Sequence, residues 1–271
     1  MKRPTIGLIV TDLDGSFWDA QGRAHPDTLG ALEEVRRAGI PVLAATARRP
    51  ASVLETMADN GVLLPCVLFD GSLGRDFTDG VTFHRCVFDP ETASSVLDAF
   101  IASGVEPSLN IEHDHDDFVI GENPSSHPGH LAFNAIRTQR IDLGVAVRTL
   151  AIFTFLVIGG ERDELVSVLE KVSHLADGSV TPDLVYGGFS LSVRPKGVSK
   201  WSGVLSFCTH RGLDPGRILA VGDGENDLEL LSSAAVACVP SDGCEAALAL
   251  ATHRIPPAHA GGWATIVDLM G

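Results

Sequence analysis

The chain has 271 residues, and 45% of them are apolar, enough to bury one large core or two modest ones. The 35 Asp and Glu residues outnumber 20 Lys and Arg and leave a formal charge of −15. Such a surface repels phosphate backbones, which argues against nucleic acid as a partner, and a small anionic substrate would need a local cluster of donors or a cation.

In chain order, the first element is a strand over Ile6–Val10, short, continuous and β-branched, as in a strand buried on both faces. The opening "MKRPTIGLIV" begins like a signal peptide, but Asp12 and Asp14 break the apolar run too early. Leu29, Leu32, Val35 and Ala38 recur at helical spacing and Gly39 is a plausible stop. "PVLAAT" reads as a second strand, "ASVLETMADNG" as a helix and "CVLFD" as a third strand. This alternation predicts a parallel sheet with helices on both faces.

The middle of the chain reads differently. "VTFHRCVF", "PSLNIEH", "DDFVIG", "LAIFTFLVIGG" and "LVYGGFSLSVRP" have strand character, and "PETASSVLDAFIASG" and "RDELVSVLEKVSHL" have helical character. Hairpin-like succession suggests an antiparallel sheet with helices on one side. After Pro195 the first pattern returns, with a helix from about Ser199 to His210, strand "RILAVGD", helix "NDLELLSSAA", strand "VACVP" and helix "GCEAALALA". The fold class expected is therefore α/β: a Rossmann-like, doubly wound parallel sheet at the core, interrupted by an inserted α+β cap. The core is expected over 1–80 plus 190–271 and the insert over 81–189.

Five scattered cysteines (Cys66, Cys86, Cys208, Cys238, Cys244) contain no Cys-x-x-Cys pair and read as buried thiols of a reducing compartment. "LAIFTFLVIGG" falls far short of the roughly 20 residues that span a bilayer. A soluble, cytoplasmic protein is the expectation, with no membrane partner and the oligomeric state left open.

In a parallel sheet, ligands bind beyond the carboxyl ends of the strands. Four such ends carry polar chemistry: Asp12 and Asp14, then Thr46, then Asp70, and late in the chain "GDGEND" with Asp223. A single aspartate there is more often a turn or capping residue. Three carboxylates brought together by adjacent strands need a counter-charge, and a hard divalent cation, Mg²⁺ beside a phosphate, is the natural one.

These segments carry a resemblance. "DLDGSF" (12–17) resembles the Asp-x-Asp-Gly-Thr/Ser motif of the haloacid dehalogenase superfamily, and "AATAR" (44–48) is similar to its second motif. "PKGVSKW" (195–201) resembles the lysine motif, and "VGDGENDLELL" (221–231) resembles the fourth, Gly-Asp-x-x-Asn-Asp. The insert resembles the α/β cap of Cof-type members in size and pattern, and "HAGGWATIVDLM" their closing segment. The resemblance covers the whole core.

It implies a Mg²⁺-dependent phosphomonoesterase acting on a small phosphorylated metabolite, with a sugar phosphate as one candidate, through an aspartyl-phosphate. Asp12 would be the nucleophile and Asp14 the general acid and base. Mg²⁺ would be held by the Asp12 carboxylate, the Asp14 backbone carbonyl and Asp223. Thr46 and the Ala47 amide would hold a phosphate oxygen, and Lys200 would neutralise developing charge. Lys196, four residues earlier, competes for that role, but Lys200 matches the pattern. Asn226 and Asp227 would orient Lys200 and the water shell of the metal, and they also suit a helix N-terminus. Candidate substrate contacts are Ala47, Arg48, Asp70 and Asn226; candidate metal residues are Asp12, Asp14, Asp223 and Asp227. A phosphohexomutase of the same fold and a non-catalytic metabolite-binding regulator are the alternatives.

The chain departs from the family pattern in several places. Ala47 replaces a usual glycine, at a cost on the order of 1 kcal/mol if the backbone there has positive φ. Asp70 stands where asparagine is common, Trp201 where glycine is common, and Phe17 and Trp18 are bulkier than usual and are expected to line the site entrance. "NIEHDHDDF" (110–118), with His113 and His115, reads as an exposed hairpin loop rather than a second metal site. His127 and His130 read as polar residues at a helix start, and Asp242 as a turn or cap residue. A cap of this kind would close over the sheet edge, exclude water and set specificity.

Overall fold

The computed structural model describes residues 5–113, 115, 117–183 and 185–270. In its first arm the chain runs β1 (Leu8–Thr11), α1 (Pro26–Arg37), β2 (Val42–Ala45), α2 (Pro50–Asp59), β3 (Cys66–Leu68), β4 (Leu73–Arg75) and β5 (Thr82–Arg85). It continues with α3 (Pro90–Ile101), β6 (Ser108–Ile111), β7 (Phe118–Ile120), α4 (Pro128–Asn134), β8 (Thr138–Arg140), α5 (Leu143–Thr149), β9 (Ile152–Gly160), α6 (Arg162–Val172), β10 (Ala176–Pro182) and β11 (Phe189–Pro195). The returning arm supplies α7 (Lys200–Arg211), β12 (Ile218–Val221), α8 (Leu228–Ser233), β13 (Val236–Pro240), α9 (Glu245–Leu250), β14 (His253–Ile255) and a closing 3₁₀ segment, Gly262–Leu269. No helix among the described residues is long and apolar enough to cross a membrane.

The chain divides into two compact units, 1–85 with 199–271, and 86–198. In the first, the sheet order is β14-β13-β12-β1-β2-β3-β4-β5. Pairing is parallel from β14 to β3 and antiparallel at β3–β4 and β4–β5. β1 lies between β2 and β12, with Leu8 opposite Ile218 and Ile9 opposite Val42. Leu8 and Val10 share an apolar cluster with Val204 and Phe207 of α7 and Leu230 of α8. Ile9 is equally buried but lies outside that cluster, as strand alternation requires of a sheet covered on both faces.

α1 starts at Pro26, whose missing N–H is one the first turn would leave unpaired anyway. The His25 side chain accepts a hydrogen bond from the Asp27 amide, and Arg36 and Arg37 complement the dipole at the other end. Its buried face is Thr28, Ala31, Leu32 and Val35. The stripe is therefore shifted from the one expected: Leu29 is only half-buried and Ala38 is the C-terminal cap.

The second unit has the sheet order β10-β11-β9-β6-β7-β8, antiparallel except for the β7–β8 pair. Phe100 of α3, Val147 of α5 and Val168 of α6 join Leu109, Phe155 and Leu191 of the sheet in one apolar cluster. The units part at 85/86 and 198/199, several residues beyond the joints expected from the change in strand and helix pattern. Strand pairing sets those limits: β5 extends the first sheet through Leu73 opposite Arg85, and β11 pairs with β10 and β9 along its length.

The segment after β3 is strained. Phe69 and Asp70 both have φ 52°, uncommon for non-glycine residues and a genuine outlier for a bulky one, and Gly71 has φ 116°. A Cβ on Gly71 would sit 2.0 Å from the Ser199 carbonyl oxygen, so only glycine lets this turn approach the start of α7. Gly71→Ala is therefore expected to lower the unfolding free energy by about 2–4 kcal/mol. Gly30→Ala, on an open face of α1, is expected to raise it by about 0.5–1 kcal/mol. Urea denaturation of the two variants beside the parent checks both signs.

Candidate active site

β12, β1, β2 and β3 are neighbours and parallel, so their carboxyl ends meet along one edge. Asp12 follows β1, Thr46 follows β2, Asp70 follows β3 and Asp223 follows β12. The Asp12 amide donates to the Val221 carbonyl at 2.8 Å, which ties the first of these ends to the last. The turn beyond Asp12 needs Gly15, at φ 80°, because a Cβ there would meet Asp223 Oδ2 at 2.4 Å.

At the centre is Lys200, the first residue of α7 and 1% exposed. Ser199 and Ser202 form a reciprocal capping box that starts the helix there. Lys200 Nζ donates to Asp12 Oδ1 at 2.6 Å and to Asp227 Oδ1 at 2.7 Å. Burial alone would lower the affinity of Lys200 for its proton, but Asp12, then Asp227 and Asp70, overcome it and hold the ammonium above its usual value. Burial pushes the Asp12 carboxyl well above its ordinary range; Lys200 opposes this, while Asp227, Asp223 and Asp14 add to it. Asp223 is pushed up to about 7 by burial and then by Asp227, against the Ser16 hydrogen bond and Lys200.

One carboxylate oxygen from each of Asp12, Asp223 and Asp227 lies within 4.8 Å of the others. An all-oxygen set with excess negative charge fits a hard cation such as Mg²⁺. Asp227 is the most committed of the three, since its Oδ2 accepts from the Asp223 and Gly224 amides at 3.1 and 3.0 Å while Oδ1 holds Lys200. Asp12 Oδ2 and Asp223 Oδ2 accept no hydrogen bond from the described residues. Asp223 Oδ1 takes the Ser16 hydroxyl at 2.9 Å. Ser16 is a contact the sequence reading missed, although its place in "DLDGS" is the available signal.

Asp14 is not in this cluster. Its carboxylate makes a bidentate pair with Arg48, Nε to Oδ2 at 2.7 Å and Nη2 to Oδ1 at 2.6 Å. Arg48 Nη1 also donates to Thr56 Oγ1 at 2.8 Å. The guanidinium, expected on substrate, is thus already engaged. Thr46 is buried, and its Oγ1 accepts from the Arg48 amide at 3.1 Å, leaving the hydroxyl proton to donate. Ala47 is exposed, and its φ is not positive, so the expected strain does not arise. The strain lies instead at Phe69 and Asp70. Asp70 is 2% exposed and accepts from Asn226 Nδ2 at 2.9 Å, so it meets Asn226 rather than solvent.

Other expectations resolve as follows. Lys196 lies in the other unit, paired with Asp177 at 2.8 Å and donating to the Ser173 carbonyl. Phe17 and Trp18 are fully buried, not at an entrance, because the turn folds both inward, with Phe17 against Trp263 at 5.2 Å between ring centroids. His113 Nδ1 accepts from the His115 amide, a local turn; Asp114 and Asp116 of that segment lie outside the described residues. His127 caps α4 through the Gly129 amide, and His130 packs against Phe118 and Tyr186. Asp242 is a turn residue, and Cys244 is the N-cap of α9. Cys66, Cys208 and Cys238 are buried thiols, and burial pushes Cys238 up to about 12.

A raised Asp223 has a signed consequence. Its contribution to stability is full below the unfolded carboxyl value near 3.9 and is lost as pH rises through about 7, because the ionised form is buried. A divalent cation binds only that ionised form. The rise in melting temperature on adding MgCl₂ to metal-free protein is therefore expected to grow from pH 5 to pH 8. A rise that is flat with pH, or fully retained in Asp223→Asn, contradicts this assignment.

Comparison with known proteins agrees with this architecture. A haloacid dehalogenase-like hydrolase from B. subtilis superposes with a TM-score of 0.81 at 15% identity, covering 97% of this chain and 99% of that one. A subclass IIB sugar phosphatase of the same superfamily superposes at 0.78 with 18% identity, over 96% and 97% of the two chains. In sequence, the chain is 26% identical over 238 residues to phosphoglycolate phosphatase of Methanopyrus kandleri, covering 88% of this chain and 85% of that protein. It is 24% identical over 270 residues to the chloroplastic endoribonuclease YBEY of Arabidopsis thaliana, spanning 93% of this chain but only 44% of that longer protein. The family model for haloacid dehalogenase-like hydrolases matches residues 9–267, nearly the whole chain, and the protein belongs to that family.

Proposed function

We propose that the protein is a Mg²⁺-dependent phosphomonoesterase that hydrolyses a small phosphorylated metabolite through a phosphoryl group carried on Asp12. The observation that carries this is the buried Lys200 ammonium between Asp12 and Asp227, with Asp223 beside them. Simple binding of a metabolite does not require a carboxylate aligned by a buried cation. The phosphoglycolate phosphatase relative acts on a small phosphorylated acid, which supports this substrate class; a sugar phosphate is a further candidate within it.

In the first half-reaction an Asp12 carboxylate oxygen attacks phosphorus, the bond from phosphorus to the ester oxygen breaks, and the Asp14 carboxyl gives its proton to that leaving oxygen. In the second, a water attacks the same phosphorus while Asp14 takes its proton, and the bond to Asp12 breaks to release inorganic phosphate. Lys200 stabilises charge on the transferring group, and the Thr46 hydroxyl and Ala47 amide donate to its oxygens. Asp12, the Asp14 carbonyl and Asp223 would hold a Mg²⁺, which when bound would supply positive charge between the attacking carboxylate and the phosphate. Catalysis is assigned to the unit of 1–85 with 199–271, and substrate selection to the unit of 86–198.

A phosphate-release screen over sugar, nucleotide and small-acid phosphates with MgCl₂ tests this. The expected result is free phosphate from at least one ester, and loss of at least about a thousandfold in kcat for Asp12→Asn at unchanged circular dichroism. Isomerised sugar phosphate without free phosphate would favour the mutase alternative. Turnover undiminished in Asp12→Asn would remove that residue as the nucleophile.

A further inference from the structure

Trp18 turns inward because the chain reverses between Leu13 and Trp18. The Phe17 and Trp18 amides both donate to the Leu13 carbonyl at 3.0 Å, and the Gly15 amide donates to the Trp18 carbonyl at 3.0 Å. Residue 18 thereby returns beside residue 14, and its indole Nε1 donates to Asp14 Oδ1 at 3.0 Å. The ring is fully buried, with Phe17 edge-on at 6.2 Å and the Arg48 guanidinium carbon 5.3 Å from its centroid. It therefore has little freedom to swing away.

Each carboxylate oxygen has two in-plane lone pairs. Both of those on Asp14 Oδ1 are taken, by Trp18 Nε1 and Arg48 Nη2. Oδ2 has one donor, Arg48 Nε, and keeps one lone pair. A proton arriving at Asp14 is thus directed to Oδ2. We propose that Trp18 is a positioning residue: together with Arg48 it closes Asp14 Oδ1 and leaves Oδ2 as the oxygen that exchanges the proton. This rests on the general acid and base role given to Asp14 above. In the first half-reaction the proton leaves Oδ2 for the ester oxygen as the phosphorus–oxygen bond breaks; in the second, Oδ2 takes it from water. Without the indole N–H, Oδ1 regains a lone pair and the proton has two places to sit.

The defect should depend on the leaving group, since an alkoxide needs that proton and p-nitrophenolate does not. The test compares Trp18→Phe with the parent in kcat/KM, using p-nitrophenyl phosphate and the fastest alkyl phosphate of the screen. A lost hydrogen bond to a charged group corresponds to about a tenfold to hundredfold loss with the alkyl ester, against at most about threefold with p-nitrophenyl phosphate. In an Asp14→Asn background, Trp18→Phe should cost nothing further. If Trp18→Phe does not fold, 3-benzothienylalanine at position 18 keeps the ring shape and removes only the N–H, with the same expectation. Equal losses on both esters, or an undiminished effect in the Asp14→Asn background, overturn the inference. Asp14→Asn without effect overturns the general-acid role and this inference with it, whereas a damaging Asp14→Asn beside a harmless Trp18→Phe overturns only the part played by Trp18. Hydrolysis of neither ester by the parent overturns the phosphatase reading.

Discussion

The site depends on one buried contact, the Lys200 ammonium between Asp12 and Asp227. A lone ammonium at 1% exposure would be prohibitive, and so would Asp12 without a cation. Breaking such a pair from one side costs about 3–5 kcal/mol, because the other charge is left buried and unmatched. Much of the surrounding structure serves to bring the partners together. The capping box sets where α7 begins, Gly71 lets the turn after β3 press on Ser199, and Asp227 is fixed by two backbone amides.

Two aspartates one residue apart from sharing a peptide bond occupy opposite environments. Asp12 is buried against Lys200, whereas the Asp14 side chain is 44% exposed and held by Arg48 and Trp18. Alternation along an extended chain would send residues two apart to the same face; the turn at Gly15 ends that register and Asp14 meets Arg48 after β2 instead. Different surroundings for paired carboxyls are what a division of labour between attack and proton transfer requires.

The carboxylates were the most legible part of the sequence, since a strand ending in acid is a local pattern and adjacent parallel strands then bring the ends together. Lys200 could be chosen over Lys196 by its motif, and the physical reason appears only in three dimensions: one lysine begins α7, the other pairs with Asp177 on β10. Size misleads at Trp18, because bulk says nothing of direction and the reversal at Leu13 is what buries the ring. The left-handed turn at Phe69 and Asp70 is invisible for a similar reason. Phe gives no local signal for positive φ, and the contacts around the turn, Gly71 against Ser199 and Asp70 with Asn226, join residues far apart in sequence. The joints between the units were blurred because strands of both sheets read alike until their partners are known.

The place of β1 between β2 and β12 has a consequence for the order of assembly. Its one neighbour comes from the next few dozen residues, and the other arrives only after the whole intervening unit has been made. During synthesis from the N-terminus, the growing polypeptide therefore carries Asp12 on an open sheet margin with no ammonium to answer it, and long-range strand pairing of this kind is slow. Lys200, Asp223 and Asp227 all follow the intervening unit in the chain, so the full set of partners around Asp12 can gather only once that unit has been synthesised.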